Sequence, residues 1–333
     1  MKALVFKRYG GPDRVAFADT PRPTPKPDEI LVQVQAAGLN PVDNLTRQGK
    51  MRGVLRFQLP ATLGSDLAGE VVAIGSRVTR FKPGDAVFAS IFDLGIGSLA
   101  EFALVPEHAA ALKPANLDFV QSASIPMVGL TSWQALKDRA RLRAGQKVFI
   151  PAGAGGIGTF AIQLAKHLGA HVATTTSTGK VDLVRSLGAD EVIDYTKQAF
   201  EDVLRDYDVV LGTLRGDAIQ TSLRILKPGS TVVSLVGPPD AAFGRGRGMN
   251  AVLVFGLGLL SRKIIRQAKK CGAEYSFLFI HPDGGQLAAI GALLEAQSIR
   301  PVIDRVFPFD QAGEALAYLD KGRATGKVVV QMN

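Results

Sequence analysis

Residues 147–158 read Lys-Val-Phe-Ile-Pro-Ala-Gly-Ala-Gly-Gly-Ile-Gly. The glycines at 153, 155 and 158 fit the spacing G-x-G-x-x-G, with Gly156 and Ile157 filling the interval. That spacing alone is common. Here an apolar strand-like run, Lys147–Ile150, precedes it and an amphipathic segment at 157–168 follows, which is the strand–turn–helix context of a dinucleotide fingerprint. Each glycine then has a physical task. Gly153 permits the tight turn, Gly155 lets the backbone approach a pyrophosphate, and Gly158 lets helix and strand pack closely. The N–H groups at the helix start face the anion.

The end of the next strand sets the choice of dinucleotide. Sites for NAD place an acidic side chain about 20 residues beyond the glycines, where it holds the ribose 2′-hydroxyl. Residues 174–180 instead read Thr-Thr-Thr-Ser-Thr-Gly-Lys. No carboxylate in that stretch repels a 2′-phosphate, and Ser177 and Lys180 offer charge-assisted hydrogen bonds to one. The expected cofactor is NADPH.

Such a loop needs a parallel sheet, and the surrounding sequence predicts one. Strand-like runs at 147–150, 171–175, 191–193, 209–211 and 231–236 alternate with helical runs at 157–168, 180–187 and 218–226. Alternating βαβ units make a parallel sheet with helices on both faces. Upstream the pattern differs. Apolar runs at 3–6, 30–36 and 70–74 are separated by turn clusters, the Pro-rich 20–28 and Lys-Pro-Gly-Asp at 82–85 among them. The first hundred residues therefore read as all-β, a partly open barrel. Helices near 286–296 and 311–319 precede a closing strand at 327–331. The expected division is 1–121, 122–278 and 279–333, with the last segment rejoining the first.

Composition narrows the function classes. At 47% hydrophobic and 21% charged, the 333 residues are globular, neither disordered nor collagenous. Cys271 is the single cysteine, which excludes a disulfide framework, an iron–sulfur cluster and a cysteine-built zinc site. The N-terminus carries no targeting signature, and the longest apolar run, 251–260, is about half the ~20 residues that span a bilayer. The expected address is cytoplasmic. Net charge is +9 and unevenly placed. Between Asp240 and Glu274 there is no acidic residue, while Arg245, Arg247, Arg262, Lys263, Arg266, Lys269 and Lys270 are basic.

Seven motifs, in order, extend these readings over nearly the whole chain. They are Gly38-Leu-Asn-Pro-Val-Asp43, Gly64-Ser-Asp-Leu-Ala-Gly-Glu-Val71, Phe81-Lys-Pro-Gly-Asp-Ala-Val87, Gly97-Ser-Leu-Ala-Glu-Phe102, Met127-Val-Gly-Leu-Thr-Ser-Trp133, Ala152-Gly-Ala-Gly-Gly-Ile-Gly158 and Ala324-Thr-Gly-Lys-Val-Val-Val330. In them the sequence resembles the medium-chain dehydrogenase/reductase superfamily, and within it the zinc-free NADPH:quinone oxidoreductase (zeta-crystallin-like) branch. The resemblance implies an α/β protein. A GroES-like partly open β-barrel is interrupted by a Rossmann doubly wound parallel-sheet domain, with the active site in the cleft between them.

The resemblance also bears on metal. Zinc-dependent members carry a Cys after Gly38-Leu39 and a His after Gly64; this chain has Asn40 and Ser65. Neither amide nor hydroxyl is a usual zinc ligand, and the four histidines, at 108, 167, 171 and 281, have no ligand spacing. No metal is expected. Without zinc to stabilise an alkoxide, the easier chemistry is hydride donation to a quinone or an α,β-unsaturated carbonyl. The resulting charge spreads by conjugation to a distant oxygen that needs only hydrogen-bond donors and a solvent proton.

By resemblance, Asn40 lies beside the nicotinamide, Asp43 orients its loop, and Arg47 matches a nearby family arginine. Thr131 is expected to open the helix that meets the nicotinamide and phosphates, Tyr195 to cover the adenosine, Val236 to lie where a strand meets the nicotinamide, and Lys327 to reach the cofactor from the other domain. Leu45 departs from the family, where many quinone reductases have Tyr, so one polar donor is lost. Residues 244–270 are expected to border the substrate mouth, touch an anionic membrane surface, or serve a homodimer contact. Two other activities stay open: an enoyl-thioester reductase, and a non-enzymatic NADPH-binding protein with a basic nucleic-acid surface. The latter is disfavoured because the basic run lacks interleaved aromatics.

Overall fold

The structure, a computed structural model, describes residues 1–55, 58–94 and 97–332. The chain forms two compact units, Met1–Leu130 with His281–Asn333, and Thr131–Ile280. The first change of unit lies within helix Pro126–Trp133, later than the composition shift at 121 suggests. Helix Phe119–Ala123 packs on the strands Glu29–Leu39 and Asp66–Ile74 and so belongs to the first unit.

Glu29–Leu39 organises the first unit. It is buried along almost its whole length, as its run of Ile, Leu, Val and Ala requires. Asp66–Ile74 and Lys327–Gln331 pair with it antiparallel, and Phe102–Pro106 pairs with its first half. Ala86–Ser90 and Ala110–Leu112 extend the sheet on one side, Ile303–Pro308 on the other. Phe6, Ile30, Leu67, Val87, Phe307 and Val330 are among the buried core residues. The C-terminal strand thus returns to the first unit.

The register at the end of Glu29–Leu39 has a chemical consequence. Gly38 stands opposite Asp66, and Leu39 opposite Val328. Asn40, Asp66 and Lys327 are therefore delivered to one place by three strands. Gly38 permits this: a Cβ there would lie 2.1 Å from the Ala123 carbonyl oxygen.

The all-β expectation for the first hundred residues misses helix Pro41–Arg47. Asn40 is its N-cap, Pro41 its first residue, and Asp43 Oδ2 accepts the Asn40 N–H at 2.7 Å. These signals outweigh an apolar pattern too short to register a helical period.

The second unit is a six-stranded parallel sheet in the order Glu191–Asp194, His171–Thr176, Lys147–Ile150, Tyr207–Gly212, Leu226–Ser234, Glu274–Phe277. Numbered along the chain this is 3-2-1-4-5-6, the doubly wound order whose switch point lies beside the first strand. The predicted helix at 218–226 ends instead at Ser222. Leu223 and Ile225 turn into the core, and Pro228 bars further helix.

Candidate active site

The glycine loop leaves the C-terminal end of Lys147–Ile150, at the switch point of the sheet. Gly155 is the N-cap of helix Gly156–His167, so the free N–H groups of Gly156, Ile157 and Gly158 open its first turn. The three fingerprint glycines differ in what surrounds them. A Cβ on Gly153 would sit 2.1 Å from Thr174 Oγ1, and one on Gly158 would sit 2.5 Å from the Ala152 carbonyl oxygen. Both are demanded by the protein's own packing. A Cβ on Gly155 meets only that same oxygen, at 3.4 Å. Packing among the described residues makes no demand for a glycine at 155.

Ser177 precedes the short turn Thr178–Lys180, and both Ser177 and Lys180 are half-buried at the end of His171–Thr176. A residue missed by sequence reasoning lies beside them. Asp194 closes the adjacent strand and is buried. Its Oδ2 accepts the Thr178 hydroxyl at 2.5 Å, and its Oδ1 accepts the Thr196 N–H and hydroxyl at 3.0 and 2.6 Å. These bonds, that of Thr178 foremost, hold the carboxyl well below the usual carboxylate range. An acid absent from 174–180 is thus supplied by the neighbouring strand, with both oxygens engaged. Its signal was position: it ends the strand one place further out. Tyr195 follows it and is 64% exposed, and Val236 lies in the loop after Leu226–Ser234. Thr131 does not open a helix. It is buried inside Pro126–Trp133, which starts at its proline and whose Met127 N–H is taken by Asp66 Oδ2 at 3.1 Å.

The first unit holds a buried polar cluster. Asn40 Nδ2 donates to Ser65 Oγ at 3.1 Å and to Asp66 Oδ2 at 2.9 Å, while its Oδ1 accepts from Lys327 Nζ at 2.5 Å. Lys327 Nζ also donates to the Leu39 carbonyl oxygen at 2.8 Å and lies 3.5 Å from Asp66 Oδ2. Ser65 donates to Asp43 Oδ1 at 2.8 Å. Burial dominates the electrostatics. It pushes the Asp43 carboxyl up to about 7 against the pull of the Asn40 N–H and the Ser65 hydroxyl. It raises Asp66 against the attraction of Lys327, and lowers Lys327 against Asp66 and Asp43. Asp66 carried no role in the sequence reading, and Ser65 entered it only as the residue in place of the zinc-dependent members' His.

This changes what two residues can do. Both Asn40 amide protons are spent inside the protein, and its Oδ1 accepts from Lys327. Arg47 is 2% exposed, and its guanidinium meets Asn44 Oδ1 at 2.7 Å, the Gly10 carbonyl oxygen at 3.2 Å and Asp320 Oδ2 at 2.6 Å. It ties helix Pro41–Arg47 to helix Ala312–Asp320. Leu45 is half-buried beside it. A cavity of about 30 Å³ adjoins Asp43 and Ser65, lined also by Thr46, Thr62, Ile91 and Phe92.

A parallel sheet of this order with a bare glycine turn, and a sheet-built unit closed by the C-terminal strand, define a two-domain nucleotide-dependent oxidoreductase. Comparison with known proteins agrees. Residues 26–115 match the alcohol dehydrogenase GroES-like domain, and residues 187–330 match a family described as zinc-binding dehydrogenase. The chain is 37% identical over 344 residues to the chloroplastic NADPH-dependent alkenal/one oxidoreductase of Arabidopsis thaliana, covering 99% of this chain and 79% of that one. It is 36% identical to the mitochondrial NAD(P)H oxidoreductase RTN4IP1 of Danio rerio, covering 100% and 91%. The solved quinone oxidoreductase of Coxiella burnetii superposes with a TM-score of 0.85 at 30% identity, covering 100% of this chain and 99% of that one. The chain belongs to the medium-chain dehydrogenase/reductase superfamily, among its quinone and alkenal oxidoreductases.

The zinc in one family description does not fit these residues. The position of the metal-binding thiolate is an amide, that of the imidazole is a hydroxyl, and a lysine ammonium shares the cluster.

Proposed function

We propose that this protein is an NADPH-dependent, metal-free reductase of quinones or α,β-unsaturated carbonyls. The observation that carries the reading is the glycine turn at the switch point of a six-stranded Rossmann sheet, where packing demands Gly153 and Gly158 but makes no demand at Gly155; the relatives' activities support the acceptor class. NADPH, when bound, supplies a hydride to an electron-poor carbon of the acceptor. Gly153, Gly155, Gly156, Ile157 and Gly158 hold the pyrophosphate on backbone N–H groups, and Ser177 and Lys180 take the 2′-phosphate. Thr131, Tyr195 and Val236 line the cofactor. Asn40 lies beside the nicotinamide, while Asp43, Arg47 and Lys327 are positioning residues that fix the Asn40 turn.

Among the described residues no helix is long and apolar enough to cross a membrane. The reading keeps a cytoplasmic address on the ground of the single cysteine, and a homodimer, for which Glu274–Phe277, last in the strand order, offers a pairing strand. It also takes 244–270 as an apolar acceptor contact. Val252, Phe255, Leu259 and Leu260 are more than half exposed on helix Ala251–Lys270. The test is NADPH oxidation across quinones, alkenals, enones and enoyl thioesters with EDTA present. Turnover confined to enoyl thioesters, or abolished by EDTA, refutes the reading.

A further inference from the structure

We propose that Tyr275 is a positioning residue: from the edge strand Glu274–Phe277 its hydroxyl sets the loop at 235–240, and that loop receives the nicotinamide end of the cofactor. The inference rests on the NADPH reading above and concerns the second unit alone.

A dinucleotide has two ends, and the strand order tells them apart. The glycine turn leaves Lys147–Ile150. On one side lies His171–Thr176, whose end carries Ser177 and Lys180, the residues that the reading gives to the 2′-phosphate. The nicotinamide end then runs the other way, over the ends of Tyr207–Gly212 and Leu226–Ser234. Residues 235–240 leave the second of these strands, with Val236 37% exposed.

Pro238 and Pro239 deprive this loop of two N–H donors, so its shape depends on bonds to its surroundings. Two of them run to the edge strand. The Tyr275 hydroxyl donates to the Pro238 carbonyl oxygen at 2.8 Å, and Asp240 Oδ2 accepts the Phe277 N–H at 3.2 Å. Asp240 Oδ1 also caps helix Ala241–Gly246, so it has a second task, whereas the Tyr275 hydroxyl serves the loop. Within the loop the Gly237 N–H reaches Ser234 Oγ at 2.8 Å. The fit is close: a Cβ on Gly237 would lie 2.6 Å from the Tyr275 hydroxyl oxygen. The tyrosine ring is itself fixed. Parallel pairing sets Tyr275 beside Val232, and the ring packs on the core cluster that includes Ile219. Burial pushes the phenol up to about 12 against the pull of the Ser234 hydroxyl, so it remains a neutral donor under assay conditions.

The test is fluorescence titration of the whole protein with two ligands, NADPH and 2′-phosphorylated ADP-ribose, which lacks only the nicotinamide ring. Tyr275→Phe keeps the aromatic ring and removes the hydroxyl. It is expected to weaken NADPH at least about fivefold, the worth of one hydrogen bond, while the fragment stays within about twofold. Tyr207→Phe is the control. It removes a buried phenol hydroxyl that bonds Glu191 where their two strands begin, at the far edge of the same sheet, and should leave the ratio of the two affinities unchanged. Equal weakening of both ligands by Tyr275→Phe, no weakening of either, or the same split in Tyr207→Phe overturns the proposal. Should Tyr275→Phe fail to fold, Ser234→Ala decides: it removes the acceptor of the Gly237 N–H, and the same split is expected. A parent protein that does not bind NADPH refutes the reductase reading itself. One that binds NADPH and the fragment alike leaves that reading standing and refutes this inference.

Discussion

Gly155 and Gly158 stand three residues apart in one loop, yet alanine at each should fail in a different way. At Gly158 the new Cβ would lie 2.5 Å from the Ala152 carbonyl oxygen and 2.6 Å from Gly153 Cα. Both neighbours are backbone of the turn itself, so the turn must move, at about 1–3 kcal/mol for overpacking. At ~2–4 °C per kcal/mol the melting point falls by several degrees. Gly155 has φ −82°, which alanine adopts freely, and its Cβ meets one atom at 3.4 Å. Replacing the glycine N-cap by alanine costs roughly 0.5–1 kcal/mol, and the smaller entropy of the unfolded chain returns about 0.4–1 kcal/mol. Stability should stay within ~0.5 kcal/mol. If the bare backbone at Gly155 receives a pyrophosphate, its methyl group blocks that approach, and NADPH should bind at least about tenfold more weakly, or 1.4 kcal/mol. Differential scanning calorimetry and fluorescence titration with NADPH measure the two quantities separately. Gly155→Ala is expected to keep its melting point and lose affinity, Gly158→Ala to lose both. A folded Gly155→Ala protein that binds NADPH within twofold of the parent refutes the assignment of the turn.

Lys180→Ala should erode an expected preference of at least about tenfold for NADPH over NADH; a parent protein with equal kinetics on both would end that argument. Asp43 has a folded pKa raised to about 7, so the folded protein binds a proton that the unfolded chain releases above ~4. Stability from this group is therefore full below pH ~4 and declines as pH rises through 7. Asp43→Asn should flatten that decline in melting curves, and an unchanged slope would show that the carboxyl does not titrate there. Replacing Phe255, Leu259 and Leu260 by Ser removes exposed apolar surface, so the melting point should hold. KM for a long-tailed quinone should rise much more than for a small one, since ~100 Å² of lost contact is worth ~2.5 kcal/mol; an equal response of both quinones, or a loss of dimer on a sizing column, would assign the helix elsewhere.

The parts of the site that were legible in the sequence are those whose chemistry is local. The glycine loop announces itself because strand, turn and helix start within a dozen residues, and each glycine answers a constraint a few atoms away. Asp194 was not legible because the acid of a dinucleotide site is expected at the end of the strand after the loop, whereas the sheet places the next strand's end against Thr178. The cluster around Lys327 was legible in its members and illegible in its arrangement. Lysine is exposed by default, and nothing near 327 contradicts that. Its burial follows only from the antiparallel pairing of the last strand with Glu29–Leu39, a contact between opposite ends of the chain. The same pairing commits Asn40, whose amide protons go to Ser65 and Asp66 and whose Oδ1 accepts from Lys327. Arg47 follows the same rule: it matches a family arginine, but Asn44, Asp320 and Gly10 claim its guanidinium. Motif residues state what chemistry is available, and the long-range register decides how much of it is already spent inside the protein before any substrate arrives.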